Sequence, residues 1–451
     1  MPKTPATASR LAWLDALRGF AALCVVYDHG STLLLRHAHN FLYQWFNFGQ
    51  YGVFVFFLVS GYIVPASLER KGSVRAFWTS RAFRLYPMYA AAIVLAVVAY
   101  LTGHGPIGGA EHHPGTSVTA WLLMMPNLLA GPNVPNVTWT LAYEMVFYLL
   151  LAALFSWRVH TRSGSYALAF GTGAIALGGL LPMAALSRWS LHYAHGPFDL
   201  NVIADVLILG GIVLAVTDKR WPARVGAGLA ALTGLVLVTV NQGYPYPWSG
   251  YQILALMFTG TVVYRAERGQ INRVAAAGIA AAVIALITVA GVWHGASRGH
   301  QWQVQWATSV LLAAATFAVG MAVRNRKVPR TAAWLGVISY SVYLLHPLIF
   351  DVFRTVRPLH RLNQQPMPIQ GAAFAGLAVV IIAASALTYY LIEKPMQRLG
   401  HRIAGRSRTG YTAGETAGSG EAAEGVGTTG TEAARSTSSS SAVAGGSGGS
   451  P

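Results

Sequence analysis

Two ionisable side chains interrupt an apolar stretch near the N-terminus, and their spacing makes them the first candidates for chemistry. Arg18 and His29 lie eleven residues apart in a run rich in alanine, valine and leucine. Eleven residues make about three helical turns plus roughly 20°, or about 16 Å along the axis, so both side chains lie on one helix face. Such residues in a membrane helix usually face an interior cavity and act there. The alternative is that Arg18 reaches the membrane surface and His29 makes an interhelical hydrogen bond.

Two more polar residues lie inside other apolar segments. Glu144 ends the sequence Trp-Thr-Leu-Ala-Tyr-Glu, and His346 lies in Ser-Tyr-Ser-Val-Tyr-Leu-Leu-His-Pro. If the N-terminus is cytoplasmic, both fall in the outer half of the membrane, at a depth similar to that of His29. The coincidence favours one shared site. The alternative is that Glu144 and His346 are separately satisfied interhelical polar groups.

A pair of arginines indicates a second group of charged residues, here called the inner pole, at the cytoplasmic face of the membrane. Arg81 and Arg84 lie three residues apart where a basic loop enters the third apolar segment, and side chains at this spacing project together. Two guanidinium groups can bind phosphate in a bidentate manner. Asp15 and Glu393 fall at similar depth, together with Arg18. The alternative is that the arginines only anchor the loop in the cytoplasm.

The composition excludes several classes of protein. Hydrophobic residues make up 54% of the 451 and charged residues 10%, whereas soluble domains carry about 25% charged residues. The net charge of +17 is spread over many short loops, which argues against nucleic acid binding. No nucleotide-binding fingerprint or Gly-x-Ser-x-Gly motif occurs. His112 and His113 are typical of solvated loop histidines, so no metal site is expected.

Long apolar segments recur from residue 11 to about residue 400, which predicts an all-α polytopic transmembrane bundle of about 10–12 spans. A shorter apolar segment, 117–131, is broken by Pro126 and is expected to be re-entrant or interfacial. Residues 1–10 are expected to form an N-terminal arm. The twelve candidate spans are 11–31, 49–68, 86–102, 139–157, 166–186, 199–217, 222–240, 249–264, 274–293, 306–323, 334–351 and 371–392.

The distribution of lysine and arginine predicts the orientation. With a cytoplasmic N-terminus, the inner segments hold 24 lysines and arginines and the outer loops hold 6. The positive-inside rule therefore predicts cytoplasmic N- and C-termini.

From residue 404 onward the composition changes to glycine, serine, threonine, alanine and glutamate. This composition lacks the apolar surface that offsets the entropy of ordering, so 404–451 is predicted to be a disordered tail. We expect a chain ending near Arg406 to keep the full activity of the protein, measured in membranes at matched expression. Loss of activity in the shortened chain would show that the tail has a role that its composition does not reveal.

Six ordered motifs over 14–395 resemble those of acyltransferase family 3, the integral-membrane O-acyltransferases that include O-antigen and exopolysaccharide acetylases and macrolide O-acyltransferases. Cores in this family are usually counted at ten spans, and this chain shows no fused esterase-like domain. No motif occurs between about 160 and 330, the stretch expected to set the acceptor. The matching elements are Leu14–Gly19 followed by His29, Val53–Ile63 with Ser60, Arg81–Pro87, Trp139–Glu144 with Thr140 in place of serine, Ser339–Pro347, and Glu393 with Pro395.

The resemblance implies transfer of an acyl group, with acetyl the first expectation, from cytoplasmic acyl-CoA to a hydroxyl of a polysaccharide, glycolipid or macrolide sugar. It implies that acyl-CoA is a substrate, that no cofactor is bound, and that the chain lies in a bacterial cytoplasmic membrane. His29 would take the acceptor's proton or carry the acyl group, and Glu144 would orient it or act as a second acid or base. Arg81 and Arg84, helped by Arg18, would bind the CoA phosphates. The supporting residues would be Asp15, Ser60, Trp139, His346 and Glu393.

A transporter or flippase for a sugar-containing substrate is the alternative from another class, since intramembrane arginine, histidine and glutamate also form proton relays. Against it, the sequence shows no paired halves with matching broken helices. Release of free CoA thiol from acyl-CoA by membranes distinguishes the two, because a transporter has no reason to cleave a thioester.

Overall fold

The computed structural model describes residues 12–180, 182–193, 197–243, 245–355 and 361–404, and the regular elements in these ranges are all helical. The predicted all-α membrane bundle is confirmed. The N-terminal arm 1–10 and the tail beyond residue 404 lie outside the described residues. The helices are α1 (Ala12–Leu34), α2 (Arg36–Tyr43), α3 (Phe48–Lys71), α4 (Val74–Leu101), α5 (Pro114–Leu122), α6 (Trp139–Ser156), α7 (Ser163–Ala176), α8 (Ala185–Tyr193), α9 (Pro197–Ala215), α10 (Arg220–Val240), α11 (Ser249–Glu267), α12 (Arg273–His294), α13 (His300–Ala322), α14 (Arg330–Thr355) and α15 (Met367–Thr388).

Each of the twelve predicted spans corresponds to one helix. In the described part of the chain, eight helices are long and apolar enough to cross a membrane, and α14, bent by 66° near Ile338, makes a ninth. The other three are α1, α7 and α11. Helix α7 has only 14 residues, about 21 Å at the usual rise, which is less than the roughly 30 Å of a hydrocarbon core. Helices α1 and α11 are long enough but more polar, because they carry residues of the site.

Helices α1 and α14 approach each other through two glycines. A Cβ atom added to Gly19 would lie 2.7 Å from the backbone nitrogen of Gly336, and one added to Gly336 would lie 1.8 Å from the carbonyl oxygen of Asp15. Only glycine permits this backbone contact. His29 and His346 each follow their glycine by ten residues, so a parallel pair of helices carries the two imidazoles to the same depth.

We expect Gly336→Val to separate α1 from α14, because the new side chain meets backbone that cannot move aside as a side chain would. Overpacking of this kind costs about 1–3 kcal/mol or more. The melting temperature in detergent should fall, and transfer activity should fall with it. Gly278→Val is the matched control, since nothing lies within 4 Å of a Cβ at Gly278. Equal melting temperatures for the two variants would contradict the close helix contact.

A second glycine contact joins α3 to α11. A Cβ on Gly61 would lie 1.9 Å from the carbonyl oxygen of Met257, and the Thr261 hydroxyl donates a 2.8 Å hydrogen bond to the Gly61 carbonyl. Near the other end of this pair, the Arg265 guanidinium lies 2.5 Å from a Glu69 carboxylate oxygen. The pairing fixes the first turn of α11 beside the first turn of α3, and both turns border the site.

Helix α4 begins twelve residues before the predicted span. Gly72 ends α3 in the left-handed conformation, and the Ser73 side chain caps α4 by accepting from the Ala76 amide. The prediction that Arg81 and Arg84 lie where a loop enters the third span is therefore wrong. The turn formed by Gly72 and Ser73 starts the helix well before these residues. Both arginines lie within α4, about 10–15 Å from its beginning.

The segment broken by Pro126 consists of short pieces. Helix α5 has nine residues, about 13 Å, and three-residue 3₁₀ turns follow at Pro126–Leu128 and Asn136–Thr138. The Tyr86 hydroxyl donates to the Leu122 carbonyl oxygen over 2.9 Å, so the end of α5 lies against the middle of α4. This geometry is that of a segment which enters the helix bundle without crossing it.

Candidate active site

His29 and His346 meet between α1 and α14. The His346 Nε2 atom lies 3.1 Å from the His29 Nδ1 atom, and the ring centroids are 5.0 Å apart. His346 is fully buried, whereas His29 is half-buried and borders a cavity. The contact brings together two of the three residues that the sequence places at similar depth.

The hydrogen bonds of His346 define the protonation of the pair. Its Nδ1 atom lies 3.0 Å from the carbonyl oxygen of Val342, and a carbonyl only accepts, so Nδ1 carries the proton. In a neutral ring Nε2 is then an acceptor, and the His29 Nδ1–H must donate to it. Neutral His29 consequently keeps its lone pair on Nε2. His346 thus holds His29 in the tautomer that a general base requires at that atom.

An outer cavity of about 150 Å³ opens beside His29. Its walls combine polar groups with aromatic rings, a combination typical of sites for small polar ligands. Trp139, predicted as a supporting residue, lies in this wall. The lining includes His29, Gln50, Trp139, Tyr246, Ser249, Gln252 and Trp306.

A smaller inner cavity of about 60 Å³ contains the arginine of α1. Arg18, Ser60 and Glu144 line it, one each from α1, α3 and α6. The Ser60 hydroxyl donates to a Glu144 carboxylate oxygen at 3.4 Å, and the Tyr148 hydroxyl donates to the same oxygen. Arg18 makes no hydrogen bond or salt bridge within the described ranges, so its charge is open to an anionic ligand.

Glu144 lines the inner cavity, and His29 borders the outer one, so a single site for Glu144, His29 and His346 stays a prediction. The Glu144 carboxylate is held by Ser60 and Tyr148, whereas the partner of His29 is His346. Helix α6 begins at Trp139, as the predicted span does, and Glu144 lies more than one turn further along it, in the cavity that contains Arg18.

Val53 and Tyr343 line both cavities and form the wall between them. The Tyr343 hydroxyl lies 3.0 Å from the Thr140 hydroxyl and donates to the Val137 carbonyl at 3.3 Å. Threonine at position 140 keeps the hydroxyl of the serine in the motif, which explains why this substitution is compatible with the same contact. One tyrosine and one valine thus separate the arginine from the histidine.

The two arginines of α4 lie one helical turn apart and differ in burial and in hydrogen-bond partners. Arg81 is 5% exposed, lies 4.9 Å over the ring of Tyr148, and approaches its hydroxyl at 3.5 Å. Arg84 is half-buried and, among the described residues, makes no hydrogen bond or salt bridge. Arg81 therefore supports Tyr148 and through it Glu144, while Arg84 remains available to a ligand.

Asp15 and Glu393 complete the inner pole. Electrostatic interactions link Arg84 to Arg18, Asp15 and Glu393. Glu393 is 2% exposed; it accepts hydrogen bonds from the Ser341 hydroxyl at 3.0 Å and the Gln397 amide at 2.9 Å. It ends a π-helical turn that starts at Tyr389, a local irregularity common at functional sites.

Sequence reasoning missed several residues of the site. Ser249 and Gln252 come from the stretch without motifs, where a serine and a glutamine at the start of an apolar helix give no distinctive signal. Tyr148 looks like an ordinary core tyrosine until its contacts with Glu144 and Arg81 are known. Its spacing of four residues from Glu144 places both on one helix face and was the one available signal.

The comparison with known proteins supports an acyltransferase. The profile of the family described as "Acyltransferase domain" matches residues 11–389. The chain is 31% identical over 154 residues to "Acyltransferase MdmB" of Streptomyces mycarofaciens, covering 32% of this chain and 39% of that protein. It is 28% identical over 173 residues to "Nodulation protein 10" of Rhizobium leguminosarum bv. viciae, covering 34% and 47%. It is 32% identical over 130 residues to "O-acetyltransferase PaAT-1" of Phomopsis amygdali, covering 24% and 26%.

The matches to these relatives thus span between a quarter and a half of each relative's length. No solved structure matches the chain.

Proposed function

The chain belongs to the acyltransferase family whose profile spans residues 11–389, and from this premise we propose that it is a membrane O-acyltransferase. The donor is acyl-CoA, with acetyl-CoA the first choice, and the acceptor is a hydroxyl of a carbohydrate or of a glycosylated small molecule. The observation that supports the proposal most directly is that two cavities lie along one face of α1. Arg18 lies at one, His29 at the other, and Tyr343 with Val53 lies between them.

The donor end is proposed at the inner cavity. The CoA moiety carries several phosphate charges, and Arg18 and Arg84 are guanidinium groups without a bonded partner in the described residues. Guanidinium groups bind phosphate through strong, bidentate hydrogen bonds. The thin pantetheine arm would run from there past Tyr343 and Val53, and bring the thioester to His29, about 16 Å further along α1.

The chemical step is a direct transfer. As the acceptor oxygen attacks the thioester carbonyl, its proton passes to the lone pair on His29 Nε2. The carbon–oxygen bond forms, the carbon–sulfur bond breaks, and the proton leaves His29 for the CoA thiolate. The products are an ester and CoA thiol, and no external oxidant or cofactor is needed. His346 keeps Nδ1 of His29 engaged as a donor and so keeps the lone pair on Nε2.

We expect His346→Phe to lower kcat by about 10²-fold, because it keeps a ring but removes the acceptor that orients His29. His346→Gln restores an acceptor and should recover part of the activity. The pH profile of kcat, measured for all three proteins, separates positioning from folding, since loss of the acceptor should move the acidic limb. Identical pH profiles and no rescue by glutamine would show that His346 only fills space.

The donor half of the proposal is tested by thiol release. Purified protein in nanodiscs is given radiolabelled acetyl-CoA and an extract of the host's envelope, and free CoA thiol and labelled ester are measured together. We expect both products in equal amounts, and neither from His29→Ala. Thiol release that is independent of His29, or an absence of release, would contradict the proposed function. Mass spectrometry of surface glycans and secreted metabolites, with and without the gene, then identifies the acylated product.

The proposed location is the bacterial cytoplasmic membrane, with both termini in the cytoplasm. The excess of 24 over 6 lysines and arginines on the inner segments supports this orientation. It also supports a cytoplasmic source for acyl-CoA at the end of α1 that carries Arg18.

A further inference from the structure

The outer cavity has features that the transfer reaction alone does not require. We infer that it receives a single sugar ring of the acceptor and that Ser249 and Gln252 read the hydroxyl groups of that ring. This inference rests on the proposed function, and it deepens that function by naming the acceptor's recognised part. The evidence is two buried polar atoms without partners, the aromatic walls beside them, and the size of the space.

Ser249 and Gln252 are three residues apart on the first turn of α11, so both point to one side of the helix. They are 2% and 1% exposed. The Gln252 amide nitrogen donates to the Ile287 carbonyl at 3.2 Å, which leaves the amide oxygen as the remaining acceptor. Within the described residues this oxygen and the Ser249 hydroxyl have no hydrogen-bond partner.

Buried polar atoms without partners cost free energy, and native proteins contain few of them. Two on one face of one turn, in residues that line the same cavity as His29, are accounted for if a ligand supplies the partners. The hydroxyl of Ser249 can donate or accept, and the oxygen of Gln252 only accepts. Together they suit adjacent hydroxyl groups of a polyol better than a carboxylate, which has no proton to give to Gln252.

The neighbouring aromatic residues form a rigid wall. The ring of Tyr246 is stacked on Trp248 with centroids 5.2 Å apart, and its hydroxyl accepts from the Trp302 indole at 3.1 Å. The Trp306 indole donates to the Ile287 carbonyl at 3.2 Å, the same oxygen that holds Gln252. An apolar aromatic surface beside hydroxyl-binding groups matches a sugar ring, which has an apolar face and a polar edge.

The volume of the cavity is compatible with a small ligand. It measures about 150 Å³, roughly ten times the 10–15 Å³ that one enclosed water needs at the least. One sugar ring therefore has room beside His29, and a glycosylated acceptor could insert a terminal sugar there.

The test uses acetyl-CoA with a panel of methyl glycosides of glucose, galactose and mannose, in which galactose and mannose each differ from glucose in the configuration of one hydroxyl group. We expect the wild-type protein to acetylate at least one, with kcat/KM differing at least about tenfold across the panel, equivalent to about 1.4 kcal/mol. Gln252→Leu and Ser249→Ala should each reduce the difference in kcat/KM across the panel to below about threefold. The KM for the preferred glycoside should rise about tenfold more than the KM for acetyl-CoA.

Two controls make the result specific. Ser249→Thr keeps the hydroxyl and should retain most of the discrimination. Gln301→Leu is a matched change at an exposed glutamine of α13 outside the cavity. The differences in kcat/KM across the panel should be the same for this variant as for the wild type. Because Gln252 also contacts Ile287, the amount of folded protein is measured for every variant. If Gln252→Leu accumulates poorly, the comparison of Ser249→Ala with Ser249→Thr still tests the inference.

Three outcomes would overturn the inference. If both variants rank the glycosides as the wild type does, Ser249 and Gln252 do not read the acceptor, and the proposed function stands. If no glycoside is acetylated while thiol release still depends on His29, the cavity does not take a single ring, and the proposed function again stands. If thiol release does not depend on His29 at all, the proposed function is wrong, and so is the inference that rests on it.

Discussion

Replacement of His29 by alanine is expected to lower acyl transfer by about 10²–10⁴-fold, the usual cost of losing a general base. His29 is the half-buried member of the histidine pair and borders the outer cavity, and its Nε2 atom holds the free lone pair. The variant leaves the buried Nε2 atom of His346 without its donor, at a cost of about 1–3 kcal/mol, and should still insert and accumulate. The measurement is the initial rate of ester formation at saturating acetyl-CoA, normalised to folded protein.

His37→Ala is the matched control for that experiment. His37 lies on the short helix α2, is exposed, and should give wild-type rates. If His29→Ala transfers within a few-fold of the wild type at equal amounts of folded protein, His29 has no part in the chemistry. A large loss in His37→Ala would instead indicate that the assay reports stability.

Neutralising the arginines of the inner pole is expected to raise the KM for acyl-CoA. A hydrogen bond to a charged group contributes about 1.5–3 kcal/mol, so Arg18→Gln and Arg84→Gln should each raise this KM by about 10- to 150-fold. The KM for the acceptor should change little, since the outer cavity is separated from the arginines by Val53 and Tyr343. Steady-state kinetics with both substrates varied gives the two constants from the same samples.

Arg81→Gln and Arg273→Gln complete the comparison. Arg81 is buried against Tyr148, so its loss should lower kcat or stability rather than donor affinity. Arg273 is exposed at the start of α12 and should have no effect. If Arg18→Gln and Arg84→Gln leave the KM for acyl-CoA unchanged, the arginines only anchor the chain, and the donor site lies elsewhere.

Periodicity along single helices predicted the fold and the relative positions of Arg18 and His29 along α1. The eleven-residue interval between Arg18 and His29 placed them on one face at two depths, and the structure gives each its own cavity. The meeting of His29 with His346 also followed, because both were placed at the same depth in the membrane. The two glycines ten residues earlier, Gly19 and Gly336, provide the close helix contact that makes the meeting possible.

Periodicity could not supply the position of one helix relative to its neighbours. The predicted span and α6 both begin at Trp139, but which cavity Glu144 lines depends on the helices that surround α6. Arg81 and Arg84 were placed in a loop because a two-residue Gly-Ser turn was read as part of a longer connection. Sequence periodicity fixes relative positions within a helix, but these residues required the positions of neighbouring helices.

The acceptor side could be assigned to a stretch of the chain but not to residues. Ser249, Gln252 and Tyr246 come from the region without motifs between about 160 and 330. Their significance depends on burial, on unpaired atoms and on contact with a cavity that α1 completes. None of these properties is local in the sequence.

The central claim is that the donor enters from the cytoplasm at the inner cavity and that the acceptor enters from the outer side at His29. Labelling of single cysteines from each side of the membrane tests it most directly. On a Cys24→Ala background, Gln50→Cys reports on the outer cavity and Arg84→Cys on the inner pole. An impermeant thiol reagent is applied to right-side-out and inverted vesicles.

We expect the cysteine at position 50 to react only in right-side-out vesicles, and the cysteine at position 84 only in inverted vesicles, with acetyl-CoA slowing the second reaction. If both cysteines react only in inverted vesicles, transfer takes place entirely on the cytoplasmic side. The route from Arg18 past Tyr343 to an acceptor outside the cell would then be wrong.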